Sequence, residues 1–125
     1  NSVGSFEKRG VKTPVVSAGE APLANLPMAV WINQGTMGPA EFVAGVLQEM
    51  RKVKIIGLPT PGMVARVELF PLKDESAVLL TTMIFSLPSG RPLWDQGLTP
   101  DAAVQAKDQS EKAFLDLTLP RIPKL

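Results

Sequence analysis

The sequence predicts a mixed α/β domain, in which short strands and one amphipathic helix follow each other along a chain of 125 residues. Two short apolar runs, at 27–33 and 52–58, suit buried strands, and a helical pattern lies between them. Further on, two β-prone segments are separated by a tight turn, which is typical of a hairpin. The order strand, turn, helix, strand, hairpin, loop and helix indicates a mixed α/β fold around one central helix.

We expect two regions in this chain. Residues 1–26 are rich in Gly, Ser, Pro and charged side chains, so they predict a lead-in that is loosely ordered or partly extended. Residues 27–125 are expected to form the core domain. Trp31 lies inside the first apolar run, so we expect it in the core rather than in an aromatic clamp with Trp94.

The central helix is predicted to begin at Pro39, directly after the turn QGTMG. Proline suits the first helical position because its missing N–H is not needed there and its φ is already fixed. Five apolar residues then follow at helical spacing and form one stripe: Phe42, Val43, Val46, Leu47 and Met50. The pattern therefore predicts a helix that packs one face against the core.

The second half of the chain contains a predicted hairpin and a closing helix. The segments VARVELFPL (64–72) and AVLLTTMIFSL (77–87) flank the turn KDES, and the second is the most β-prone stretch of the chain. One short strand is expected at 102–104. A helix is expected at 109–117, with Ala113, Phe114 and Leu117 on one face.

The composition excludes several classes of function. Thirteen basic and twelve acidic residues create no large field of one sign, so we expect no nucleic-acid partner. The chain has no Cys and no His, which excludes a disulfide framework, a Cys or His metal site, a Cys nucleophile and a Ser-His triad. No cofactor or metal is therefore expected. No apolar run reaches the length of about 18 residues that a membrane span needs. Residues 1–12 are polar and do not resemble a signal peptide, so the first residue looks internal to a longer gene product.

The turn before the helix has a backbone suited to anion binding. The first N–H groups of a helix lack intrahelical acceptors, and with the helix dipole they favour a negative group at that end. Many acyl-transfer enzymes place a nucleophile at such a turn. Here the bend residue before Pro39 is Gly38, which carries no nucleophilic atom.

Two long stretches resemble one enzyme family. PMAVWINQGTMGPAEFVAGVLQEMRKVKIIGLPTPGM and FPLKDESAVLLTTMIFSLPSGRPLWDQGLTPDAAV resemble the catalytic region of the carboxyl-terminal processing (tail-specific) serine peptidases. That family has a turn such as G-T-A-S-A-S-E, a helix I-V-A-G-A-L-Q and a strand ending in V-I-G-E-x-T-F-G-K-G. The resemblance covers about 27–104. It implies a ClpP/crotonase-like partial core, without a PDZ module, and an extracytoplasmic location such as the periplasm.

The resemblance also assigns the catalytic positions. Gly38 aligns with the family's serine nucleophile, Met63 with its lysine base, and Val67 with the glutamine that orients the lysine. A Ser-Lys pair works because a desolvated, neutral lysine accepts the serine proton. Glycine offers no nucleophile and a thioether is not a base, so we expect a catalytically inactive, peptidase-like domain.

A binding role remains open at the empty turn. We expect peptide or protein C-termini as partners, with the terminal carboxylate at the helix head. The residues predicted for this site are Thr36, Gly38, Pro39 and Ala40. The resemblance covers only the second half of the family's core, which would leave sheet edges and an apolar face uncovered. We therefore also expect self-association or a partner chain that completes the core.

Two alternatives remain. The chain is an active carboxyl-terminal processing peptidase if another chain supplies the catalytic groups, or if Thr36 or Thr60 acts with Lys52 or Lys54. We expect these threonines to bond to nearby backbone instead. The second alternative is a structural module of a larger envelope protein.

Other polar residues of the same region are expected to be structural. Glu41 lies three residues after Gly38, where a capping interaction is common, and Glu49 is expected on the helix surface. Arg91 in PSGRP and Asp101 in GLTPD are expected to belong to turns rather than to an anion site.

Overall fold

The computed structural model describes residues 2–19, 26–51 and 53–104, together with 112, 115, 116 and 119–121. Its elements in chain order are β1 (Ser2–Lys8), β2 (Val11–Val16), β3 (Ala29–Ile32), α1 (Pro39–Arg51), β4 (Lys54–Gly57), β5 (Ala65–Pro71), β6 (Ala77–Ser86), β7 (Ala102–Ala103) and a 3₁₀ turn (Leu119–Arg121). The predicted α/β class, the helix start at Pro39 and the β5–β6 hairpin are confirmed.

The strands form two sheets around α1 rather than one mixed sheet. The first sheet has the order β2-β1-β6-β5 and is antiparallel throughout. The second has the order β3-β4-β7 and is parallel. The connection β3–α1–β4 is a parallel crossover, which places the turn before α1 at the carboxyl end of β3.

Residues 2–16 lie in the region that the sequence predicts to be loosely ordered or partly extended, and they are extended. They form the β1–β2 hairpin, and β1 pairs with β6 from Ser5↔Ser86 to Glu7↔Ile84. Gly4 allows this close packing, since an added Cβ would lie 2.6 Å from the Ser86 carbonyl oxygen. The pattern missed these strands because Gly4 and the charged residues of β1 interrupt the apolar alternation.

The buried face of α1 matches the predicted stripe in part, since Phe42, Val46 and Leu47 pack against the core. Val43 and Met50 are 55% and 43% exposed, whereas Ala44 and Glu41 are buried. Gly45 faces Leu87, whose Cδ2 would lie 2.7 Å from an added Cβ. Ala44 and Gly45 thus share the buried face with the larger apolar residues of the stripe, because their small size permits a close approach to the core.

Two further expectations concern Trp31 and the closing helix. The prediction that Trp31 belongs to the core is wrong: it is 39% exposed, because the strand period of two sends its neighbour Ile32 inward instead. The helix expected at 109–117 lies outside the described residues, apart from Lys112, Leu115 and Asp116, which have helical backbone.

Candidate functional site

The turn between β3 and α1 is closed by its own polar groups. The Thr36 N–H donates to the Asn33 carbonyl oxygen at 3.0 Å, and the Asn33 N–H donates to Thr36 Oγ1 at 3.1 Å. The Gly35 N–H donates to Asn33 Oδ1 at 2.8 Å. The Thr36 hydroxyl therefore belongs to the turn, as the structural interpretation of this residue predicts.

Gly38 is the residue at which the chain enters the helix. Its carbonyl oxygen accepts the N–H of Phe42 at 3.2 Å, and its φ of 62° lies in the left-handed region. An added Cβ at Gly38 would lie 3.9 Å from the backbone oxygen of Met63. The structure therefore brings the positions aligned with the nucleophile and the base next to each other.

Glu41 forms hydrogen bonds with the backbone of both Gly38 and Met63. Its side chain is fully buried, and Oε2 accepts the N–H of Gly38 at 3.1 Å and that of Met63 at 2.8 Å. Oε1 accepts the N–H of Gly62 at 2.7 Å and the hydroxyl of Thr60. The bond to Gly38 is the predicted capping interaction. The other three join the helix head to the 58–64 loop, and sequence spacing gave no signal for them.

Thr60 is not an accessible nucleophile. Its side chain is 7% exposed; the hydroxyl donates to Glu41 and accepts the N–H of Leu98 at 2.8 Å. The loop around it is tightly packed, since an added Cβ at Gly97 would lie 2.1 Å from the Thr60 carbonyl oxygen. Lys54 lies in β4, and Lys52 is outside the described residues.

Met63 and Val67 occupy exposed positions. Met63 is 54% exposed beside Gly38, and Val67 is 51% exposed in β5, where it pairs with Thr81. Neither side chain has a group that accepts a proton near neutral pH. Of the three aligned positions, Gly38 and Met63 lie side by side because both N–H groups donate to Glu41 Oε2, whereas Val67 lies further along the hairpin.

A small apolar cavity opens beside the helix head. It has a volume of about 100 Å³. Its lining residues are Gly38, Pro39, Phe42, Val64, Ala65 and Phe85. They come from the turn, the helix, the 58–64 loop and both strands of the β5–β6 hairpin, so no local sequence pattern indicated the cavity. Among the predicted binding residues, Gly38 and Pro39 line it; Ala40 is exposed in the first helical turn, and Thr36 belongs to the turn before it.

The remaining polar residues hold loops in place. Glu49 accepts the Ser89 N–H and hydroxyl at 2.9 and 2.8 Å. Arg91 donates to the Gly97 carbonyl oxygen at 3.3 Å. Asp101 accepts the Ile55 N–H at 2.8 Å. The interpretation of PSGRP and GLTPD as structural turns is confirmed, although Glu49 is part of a tie between α1 and a loop rather than a free surface residue.

The fold is similar to that of solved peptidase structures. A solved photosystem II D1 C-terminal processing protease superimposes with a TM-score of 0.74 at 21% identity, over 99% of this chain and 33% of that chain. A putative peptidase from Parabacteroides merdae gives 0.75 at 16% identity, over 98% and 42%. At these identities the likeness establishes the fold.

Sequence comparison identifies the family. A carboxy-terminal-processing protease of Bartonella bacilliformis is 35% identical over 115 residues, 89% of this chain and 26% of that protein. A carboxyl-terminal-processing protease of Synechocystis is 28% identical over 116 residues, 93% and 26%. Peptidase family S41 matches residues 3–104. The chain belongs to peptidase family S41 and spans about a quarter of the length of these curated relatives. The resemblance seen in the sequence is therefore confirmed.

The relatives come from bacteria and from chloroplasts. Within the described part of this chain, α1 and the shorter helical turns are too short or too polar to cross a membrane.

Proposed function

We propose that this chain is a peptidase S41 domain that does not cleave peptides and that binds the ends of polypeptides at the head of α1. The observation that carries this proposal is the apolar cavity between Gly38 and the β5–β6 hairpin, at the place where the family has its nucleophile. A cavity and unpartnered helix N–H groups remain useful for binding after the catalytic side chains are lost.

The absence of turnover follows from the chemistry of three positions. Gly38 has no side-chain oxygen or sulfur, Met63 is not basic, and Val67 cannot orient a base. The threonine hydroxyls near the site are engaged in the turn or in the bonds to Glu41 and Leu98. Among the described residues, no group within reach of the cavity is therefore placed to attack a peptide carbonyl.

Fewer backbone N–H groups at the head of α1 are free to bind a peptide carboxylate than the sequence predicts. The Gly38 N–H already donates to Glu41 at 3.1 Å, and Pro39 has no N–H. The donors left in the first helical turn are the N–H groups of Ala40 and Glu41. We therefore assign most of the selectivity to the cavity and a smaller part to the carboxylate.

The cavity size indicates a small aliphatic side chain. A volume of about 100 Å³ holds roughly three groups of water size, at about 30 Å³ each, which is the range from alanine to valine. The lining consists almost wholly of carbon atoms, so charged or strongly polar end residues lose hydration without gaining partners.

Peptide titration with mass analysis tests the proposal. Ten-residue peptides ending in valine, arginine or valinamide are titrated into the protein, and the mixtures are analysed for products. We expect the valine peptide to bind most tightly, the amide to lose up to tenfold, and no product to form. In the variant Ala65→Leu, which fills the cavity, binding falls at least tenfold, whereas the matched variant Ala18→Leu at an exposed position leaves it unchanged.

Each contrary result selects another function. Product formation would favour the active peptidase with catalytic groups from elsewhere. Equal, weak binding of all peptides would favour the structural module. An extracytoplasmic location, such as the periplasm, and association with a second polypeptide belong to the same proposal. The location is supported by the relatives, and the association by the exposed apolar side chains of β5 and β6.

A further inference from the structure

The distal part of the β5–β6 hairpin extends beyond the rest of its sheet. We call residues 67–81 the arm. β1 pairs with β6 only from Ile84 to Ser86, after which β1 ends and the chain turns at Arg9 and Gly10. A two-stranded hairpin alone is marginally stable, so an arm of this kind gains from contact with another surface.

One face of the arm is strongly apolar and exposed. Val67 and Leu69 of β5 share this face with Leu79 and Thr81 of β6, because Val67 pairs with Thr81 and Leu69 with Leu79. We call it the outer face. Its three large apolar side chains are 51%, 62% and 66% exposed, and those of the opposite face are less so: Phe70 40%, Val78 38% and Leu80 50%. A contiguous exposed patch of this kind marks an interaction surface.

A groove follows directly at the base of the arm. It has a volume of about 450 Å³ and is lined by Glu7, Arg9, Lys12, Thr81 and Thr82, among others. Thr81 belongs to both surfaces, so the outer face and the groove are continuous. The charged side chains that line the groove are Arg9 and Lys12, which are basic, and Glu7, which is acidic, so their net charge is +1.

The tip of the arm has the opposite charge. Residues 72–76 contain Asp74, Glu75 and Lys73, a net charge of −1. Hydrogen bonds from the Ser76 hydroxyl and N–H lower the pKa of Asp74, so this carboxylate remains ionised under mildly acidic conditions. The other acid of the arm, Glu68, is ion-paired with Arg66 at 3.0 Å. The free acidic charge of the arm is thus concentrated at its tip.

The tip and the groove lie on opposite sides of the middle of the arm. From Leu79, the tip begins three residues away at Ser76 and the groove begins two residues away at Thr81. These separations are about 10 Å and about 7 Å at roughly 3.3 Å per residue. A two-fold axis beside the Leu69–Leu79 pair would bring the tip of one arm over the groove of another.

We propose that two copies of this chain associate through their arms, packed antiparallel and outer face against outer face, with each acidic tip in the basic groove of the other copy. The surface complements itself in polarity and charge, as an isologous dimer requires. The second polypeptide in the association proposed above is thus another copy of this chain. The dimer does not depend on peptide binding.

Removal of the apolar contact tests the interface. Sedimentation velocity of the wild-type chain between 1 and 200 µM is expected to show a concentration-dependent dimer. The double variant Leu69→Ser/Leu79→Ser weakens dimerisation at least tenfold, since it removes two apolar side chains from the centre of the interface. The control Val16→Ser removes an equally exposed side chain, 64%, from the opposite edge of the sheet and leaves dimerisation unchanged.

Charge exchange tests the geometry. Glu75→Lys and Arg9→Glu each weaken the homodimer, but an equimolar mixture recovers a heterodimer, because every tip then meets a groove of opposite charge. The proposal is overturned if the wild-type chain is monomeric at 200 µM. It is also overturned if the double variant and both charge variants still form the dimer. A Leu69→Ser/Leu79→Ser protein that is monomeric yet binds the valine peptide shows that the interface is independent of the peptide site.

Discussion

Glu41 organises the site at the residue scale. A fully buried carboxylate accepts four hydrogen bonds, from both sides of the gap between the helix head and the 58–64 loop. Such bonds to a charged acceptor are shorter and stronger than neutral ones. The position of Met63 relative to Gly38 therefore depends on Glu41, which does not align with a catalytic residue of the family.

Substitution of Glu41 should destabilise the fold, because its partners are buried or partly buried and have no other acceptor among the described residues. In Glu41→Gln the amide nitrogen faces N–H donors, so at least one buried donor loses its acceptor. We expect a loss of about 2 to 4 kcal/mol in the free energy of unfolding, measured by urea denaturation. The control Glu49→Gln, whose partner Ser89 is exposed, should lose about 1 kcal/mol or less. Equal losses would contradict this role of Glu41.

Gly38 is constrained by its backbone rather than by its neighbours. With φ at 62° and the nearest atom 3.9 Å from an added Cβ, Gly38→Ala is expected to cost about 1 to 2 kcal/mol through strain alone. Gly38→Asn should cost less, because asparagine tolerates this conformation. Thermal unfolding of both variants checks the order, and a greater loss for asparagine would point to crowding instead.

The 58–64 loop is held between two elements at the element scale. Glu41 binds it from α1, and the 93–98 segment packs against it, with Thr60 N–H donating to the Leu98 carbonyl oxygen at 3.1 Å. The cavity beside Gly38 keeps its shape only while this loop stays in place, because Val64 at its end forms part of the lining.

Two glycines with similar backbone conformations allow the tightness of packing around the 58–64 loop to be measured. Gly97 and Gly90 have φ of 64° and 87°, but an added Cβ would lie 2.1 Å from the Thr60 carbonyl oxygen at Gly97 and within 4 Å of nothing at Gly90. We expect Gly97→Ala to be less stable than Gly90→Ala by roughly 2 kcal/mol or more, since overpacking adds to backbone strain. Similar unfolding midpoints in urea would show that the loop yields easily.

The sequence predicted the elements with strong local patterns and missed those that depend on distant contacts. The α1 start, β4 and the hairpin have proline, apolar-run and β-branched signals of their own. β1 does not, since Gly4 serves its packing against β6 and looks like a loop residue in sequence. Gly38 and Met63, which the resemblance aligns with the nucleophile and the base, are neighbours in the structure. The bonds of Glu41 to residues 19 to 22 positions away, and a cavity built from several segments, lay outside what local periodicity can indicate.

The whole molecule combines a closed core with an open surface. Ile55 and Ile56 in β4 are fully buried, whereas the outer face of the arm is more than half exposed. A chain that spans about a quarter of its curated relatives keeps a packed centre and leaves an apolar arm available for association.

Association should therefore contribute to stability. If two arms pack against each other, the melting temperature rises with protein concentration, because binding to the folded state adds to the free energy of unfolding. Between 2 and 200 µM we expect an increase of a few degrees for the wild-type chain and none for Leu69→Ser/Leu79→Ser. A constant melting temperature for both proteins, measured by differential scanning calorimetry, would contradict the arm-to-arm dimer.

The exposed side chain of Met63 has a practical consequence. The chain contains no cysteine, so Met63→Cys would introduce a single thiol at a position whose backbone, rather than its side chain, is held by Glu41. A fluorescent dye attached there would sit beside Gly38 and the mouth of the cavity, with little demand on the fold. The exposed side chain at this position thus offers a convenient attachment point from which occupancy of the cavity can be followed optically in solution.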